Sequence, residues 1–282
     1  MVKITNEHFS LNQICQSGQC FRMNQTQEHH YKIIAGQRYL DAYEEDDCIF
    51  FCCSNEEFHE FWEDYFDLKH NYHHNILKIN PNDSYLLSAA SFGGGIRILR
   101  QDLWEMIVSF LISQQNNIVR IRRCIELLCK TYGTEMVSSR KETYYGFPTP
   151  ETLSRLEDNQ LMACNLGYRS KYVVQAAKQV ASGNFDLIKL KALPYKKAKE
   201  ELLNLFGVGE KVADCVCLFG LHHLEAFPVD THIKQALQAH YKRGFPNRRY
   251  KGFQGVLQQY IFYYELHGNK DCPRGSGDTD KA

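Results

Sequence analysis

Two glycines separated by a single valine, Gly207-Val208-Gly209, break a helical pattern that resumes at once. Lys196 to Phe206 predicts one helix and Glu210 to Gly220 a second, so the chain must turn back on itself within a few residues. Glycine makes that reversal cheap, because it enters left-handed conformations at little cost and lets another backbone come close. The turn also leaves the first N–H groups of the second helix without intrahelical partners. Together with the positive end of the helix dipole, they form an anion site suited to a phosphate. Residues 196–220 thus predict a grip on a nucleic-acid backbone, with Gly207 and Gly209 as its contact points.

Lys211 stands in the first turn of the second helix, and Asp230 follows Pro228 where a cap for a helix over Asp230–Tyr241 is expected. An amine is a nucleophile only after losing its proton, which burial and a helix N-terminus both favour. Lys211 can then attack an electrophilic carbon and form a Schiff base, with Asp230 holding the amine or stabilising developing positive charge. The plainer alternative is a phosphate-binding lysine and a structural cap. Residue types alone favour the plainer alternative.

The totals narrow the class. A chain of 282 residues holds one large domain or two to three small ones. No run reaches the roughly 20 apolar residues of a membrane span, and Met1 to Glu7 lacks the layout of a signal peptide. A cytosolic location, nucleoid-associated in a bacterium, is expected, with no membrane partner. Eleven scattered cysteines without a Cys-x-x-Cys pair predict reduced core thiols rather than disulfides or a zinc ribbon. Only Cys272 follows Asp230, so no four-cysteine iron–sulfur cluster is expected there. Net charge is zero, yet residues 1–100 hold 8 Lys and Arg against 14 Asp and Glu, and residues 101–282 hold 25 against 19. The second part is the one expected to face DNA.

Short β-branched and aromatic runs at Phe21–Met23, Tyr31–Ala35, Arg38–Tyr43 and Cys48–Cys53 predict an antiparallel sheet. Phe58, Phe61, Trp62 and Tyr65 then recur at helical spacing, which core packing explains. Gly93-Gly94-Gly95 lacks phosphate-loop spacing and reads as a hinge. Everything later reads as helices: Asp102–Asn116, Ile118–Tyr132, Pro150–Asp158, Gln160–Cys164, Ser170–Ser182, the hairpin pair, Asp230–Tyr241 and Tyr250–His267. The expectation is an α+β chain: an antiparallel sheet domain with flanking helices over 1–95, an all-helical region over 96–270, and a polar, disordered tail over 271–282.

Leu205 to Cys215 followed by Pro228-Val229-Asp230-Thr231-His232 resembles the helix-hairpin-helix glycosylases, and more narrowly 8-oxoguanine DNA glycosylase/AP lyase. Four further segments are similar to that family in the same order: Ser17-Gly18-Gln19-Cys20-Phe21-Arg22, Ile98 to Ser113, Asn165 to Tyr172, and Gln258-Gln259-Tyr260-Ile261-Phe262.

The resemblance implies a bifunctional repair enzyme, monomeric and without a cofactor, acting on double-stranded DNA that contains 8-oxoguanine. Lys211 would attack the sugar C1′, assisted by Asp230, and strand cleavage by β-elimination would follow. The damaged base must first be flipped out of the helix. Gln258 would then bond its Watson–Crick edge, Phe262 and Cys215 would flank its faces, and the Gly18 carbonyl would meet the N7–H that guanine lacks. Tyr168 would be the wedge, while Arg169 and Arg120 would read the orphaned cytosine beside Gln115, where the family usually has asparagine. His232 would lie near a backbone phosphate, and the carbonyls of Leu203, Leu205 and Val208 would hold a structural cation. Taken without the resemblance, Gly18 is a turn glycine, Phe262 and Cys215 are core, Gln258 is a solvent-facing amide and His232 a second cap residue. Two competing expectations are a monofunctional alkylated-base glycosylase, which has no use for Lys211, and a non-catalytic DNA-binding module.

Overall fold

The structure is a computed structural model and describes residues 1–268. The expected tail therefore lies outside the described residues. Five strands form an antiparallel sheet in the order β1-β5-β4-β3-β2, with β1 Val2–Thr5, β2 Met23–Gln27, β3 His30–Ala35, β4 Arg38–Glu45 and β5 Cys48–Phe51. Alternation explains its single packed face: Tyr31, Ile33, Leu40, Ala42, Ile49 and Phe51 all point to one side. They meet Leu11 and Ile14 of a short helix, Leu11–Gln16, and the aromatics Phe58, Trp62, Tyr65 and Phe66. Burying each such ring contributes on the order of 2 kcal/mol.

Sequence reading missed β1 and the Leu11–Gln16 helix, both short and weakly patterned. It also placed the second strand early: Phe21 and Arg22 precede β2, which begins at Met23. The expectation of helices alone after residue 96 is corrected by a small two-stranded sheet, β6 Glu135–Val137 and β7 Thr143–Tyr145. Its strands are held by distant partners. Tyr144 donates to the Gln37 carbonyl at 3.0 Å, Phe147 N–H to Gly36 at 3.2 Å, and Lys32 pairs with Glu142 at 2.8 Å. The glycine run is likewise no free hinge. The Gly95 carbonyl accepts from Ser10 N–H at 2.8 Å, its N–H donates to the Gln13 side-chain Oε1 at 2.8 Å, and a side chain there would meet Ser10 Cβ at 2.7 Å.

The larger core belongs to the helices. Helix Leu103–Ser113 runs through its centre with all residues but Ser113 buried. Helices Ile118–Tyr132, Arg169–Ala181 and Glu210–Phe219 contribute to the core around it, as does Gln254–His267. Helix Ser84–Gly93, expected with the sheet domain, buries Leu86, Ala89 and Ala90 in this helical core. Buried polar side chains join the two bodies. Gln19 donates to the Arg97 carbonyl at 2.9 Å and accepts from Leu99 N–H at 2.9 Å, which staples the Ser17–Arg22 segment to the entry of the central helix.

Candidate active site

The hairpin forms between helix Tyr195–Leu202, which ends four residues before the expected Phe206, and helix Glu210–Phe219. Gly207 has φ +86°, and a Cβ there would sit 2.5 Å from the Tyr172 ring, so only glycine fits. Gly209 begins the second helix without any side-chain cap and with nothing within 4 Å of its Cβ position. No side chain caps the first N–H groups of that helix. The turn is braced from two sides: Gln114 Nε2 donates to the Gly207 carbonyl at 3.1 Å, and Phe206 N–H donates to Gln179 Oε1 at 2.9 Å. On its inner side Asp214 accepts from Tyr195 at 2.7 Å and pairs with Lys199 at 3.0 Å, locking the two helices together.

In the first turn of the second helix, Lys211 points into a small cavity with its Nζ 5.3 Å from the centre of the Phe110 ring. Phe110 stacks on Phe219 at 5.5 Å and meets Phe21 edge-on at 5.6 Å, making an aromatic floor. Burial raises the Cys215 thiol above its ordinary range, and the neighbouring Lys211 charge opposes that rise. Asp230 caps helix Thr231–His240 through Oδ1, which accepts from Ile233 N–H at 2.9 Å. Lys211 and Asp230 line the same cavity.

Gly18, Pro228, Gln258, Gln259 and Phe262 complete the wall. Gly18 has φ +72°, and a Cβ there would press on Phe262 at 3.1 Å. Gln258 is not a solvent-facing amide: it is 3% exposed and donates to the Pro228 carbonyl at 3.1 Å. His232 is exposed and meets the Phe262 ring edge-on at 6.1 Å. The cavity volume is about 50 Å³, far below the roughly 300–1,000 Å³ of ligand pockets. The Phe262 ring packs closely over Gly18 at one wall of the cavity.

A second group of expected residues lies beside the hairpin. Tyr168 is exposed, 5.7 Å from Tyr172, which in turn contacts Phe206 of the turn. Arg120 is exposed at the start of its helix, and Gln115 is exposed with φ +48°. Arg169 differs. It is 4% exposed, donates to the carbonyls of Gln114, Gln115 and Leu166, and stacks under the Tyr168 ring at 4.5 Å. In this state it clamps the loop after the central helix instead of facing outward. At the suggested cation position, the Leu205 carbonyl accepts the Val208 N–H at 3.1 Å. Sequence reading missed Phe110, Phe219, Pro228 and Gln259. The first two are indistinguishable from core aromatics, whereas a Gln-Gln pair inside the apolar run Val256 to Ile261 was a readable signal.

Residues 1–107 match the family described as 8-oxoguanine DNA glycosylase, N-terminal domain. Residues 108–248 match the HhH-GPD superfamily of base excision DNA repair proteins. The chain belongs to the 8-oxoguanine DNA glycosylase family of the HhH-GPD superfamily. Among solved structures, that of MBOgg1 in complex with a low-affinity DNA ligand is 35% identical, with a TM-score of 0.89 over 95% of this chain and 96% of the other. An 8-oxoguanine glycosylase/lyase from Clostridium acetobutylicum, in complex with double-stranded DNA containing cytosine opposite 8-oxoG, is 32% identical, with a TM-score of 0.86 over 93% of each chain. The N-glycosylase/DNA lyase of Saccharomyces cerevisiae is 38% identical over 52% of this chain and 42% of its own. The chain thus matches less than half the length of that curated relative. No helix among the described residues is long and apolar enough to cross a membrane.

Proposed function

We propose that the chain excises 8-oxoguanine from duplex DNA and then cleaves the strand, acting as a monomer without a cofactor. The observation that carries this reading is the meeting of Lys211, Asp230, Gly18, Cys215, Gln258 and Phe262, drawn from distant parts of the sequence, around one cavity at the root of the hairpin. All of these groups come from a single chain, so one copy suffices. Hairpin N–H groups hold a phosphate, Tyr168 enters the stack, Arg120 meets the orphaned base, and the flipped base displaces Phe262 to stack against it.

With the base in place, the Lys211 amine forms a bond to C1′ while the C1′–N9 bond breaks and its electron pair leaves with the base. Asp230 stabilises the positive charge that develops on the sugar. Opening of the sugar ring, in which the C1′–O4′ bond breaks and O4′ takes up a proton, converts the adduct into an imine. Removal of a C2′ proton then expels the 3′ phosphate. The relatives named as N-glycosylase/DNA lyase and as 8-oxoguanine glycosylase/lyase support both halves of this chemistry.

Borohydride trapping on a duplex containing 8-oxoguanine tests the proposal. The wild type is expected to give a covalent protein–DNA adduct, and Lys211→Gln to give none. An adduct that persists in the variant would refute Lys211 as the nucleophile. Base release without any adduct would favour a monofunctional glycosylase. Binding without release would favour a non-catalytic module.

A further inference from the structure

Gln259 has no part in the scheme above, yet it is 3% exposed and lines the same cavity. Its Nε2 donates to Gln258 Oε1 at 3.1 Å, and Gln258 Nε2 donates in turn to the Pro228 carbonyl at 3.1 Å. A backbone carbonyl can only accept, so Pro228 sets the direction of both amides. Turning Gln258 around would set its oxygen against that carbonyl. Turning Gln259 around would set oxygen against oxygen. The relay therefore ends on Gln259 Oε1, which is buried without a hydrogen-bond partner among the described residues. A buried acceptor left unpaired is costly, and in a folded protein such a group calls for an explanation. At the wall of a base pocket, the explanation is a donor brought by the ligand.

We propose that Gln259 is a second base-reading residue, whose Oε1 accepts an N–H from the exocyclic amine of the flipped oxopurine. This rests on the pocket being an 8-oxoguanine site. Gln258 Oε1 keeps one lone pair after accepting from Gln259, which suits a single donor such as N1–H. The amine beside N1–H needs a second acceptor. Gln259 Oε1, on the adjoining side chain, supplies it.

The base 8-oxohypoxanthine keeps N1–H and both carbonyls but lacks the amine, so it separates this contact from the rest of the pocket. Single-turnover excision of each base opposite cytosine is to be measured with the wild type and with Gln259→Leu. The wild type is expected to favour 8-oxoguanine by about tenfold or more, since 1.4 kcal/mol is a factor of ten. Gln259→Leu is expected to bring excision of 8-oxoguanine down to the 8-oxohypoxanthine rate, with the latter unreduced. Equal wild-type rates on the two bases would overturn the assignment without reference to any variant. A preference that survives in Gln259→Leu, or a variant that slows both bases alike, would also overturn it. A wild type that releases neither base removes the glycosylase reading itself, and this assignment with it.

Discussion

Gln115 carries a backbone burden that its side chain does nothing to relieve. With φ +48° it lies in the left-handed region, which costs an ordinary L-residue on the order of 1 kcal/mol and costs asparagine less. Asparagine is also the residue that the family resemblance leads one to expect there. Gln115→Asn should therefore stabilise the fold by up to about 1 kcal/mol, read as a higher denaturant midpoint with unchanged slope. A lower midpoint would mean that the Gln115 side chain stabilises the loop in some other way. At this scale the sequence was informative wherever a side chain's role is local. Asp230 was readable as a cap because the capping bond spans three residues. Arg169 was not readable as a clamp, because the carbonyls of Gln114 and Gln115 that it holds are more than fifty positions away.

The hairpin shows how two similar glycines divide their work. Gly207 is held by its left-handed backbone and by Tyr172, so Gly207→Ala should cost well over 1 kcal/mol and loosen the turn. Gly209 has φ −102° and open space around it, so Gly209→Ala should leave thermal stability nearly unchanged. Its expected effect is on DNA, because a methyl group there intrudes where a phosphate would approach. Affinity should fall while the salt slope, which counts phosphates neutralised by Lys and Arg, stays nearly unchanged. Melting curves and salt titrations on both variants check the division. Equal loss of stability in the two would show that the glycines share one structural role. The Gly-Val-Gly spacing announced the turn, but the reason for glycine at 207 is a tyrosine thirty-five residues earlier.

The two bodies of the molecule meet at a buried carboxyl. Glu105 of the central helix accepts from Gly36 N–H at 3.2 Å and lies 3.7 Å from Arg22, under the tip of the sheet. Burial pushes its pKa up from 4.5 to about 7, with the Arg22 guanidinium pulling the other way. Between those values the folded protein keeps a proton that the unfolded chain releases. Its contribution to stability is full below about 4.5 and is lost as pH rises through about 7, a change of at most about 3 kcal/mol. Glu105→Gln keeps the neutral shape, so it should match the wild type near pH 4.5 and exceed it near pH 7.5 in urea midpoints. Parallel pH profiles would rule out Glu105 as the titrating group.

The sequence by itself determined the reversal at Gly207 to Gly209, the helices around it, most of the antiparallel sheet and the pairing of a first-turn lysine with a capping aspartate. Each follows from periodicity, capping or turn chemistry, which act within a few residues. Only the tertiary structure decided that β6 and β7 form beside the sheet, that Arg169 faces inward, that Phe262 packs over Gly18 at the cavity wall, and that the buried relay ends on Gln259. Those outcomes depend on close packing between segments more than fifty residues apart, or on the direction of a hydrogen bond set by a carbonyl in another element. Local pattern carries neither.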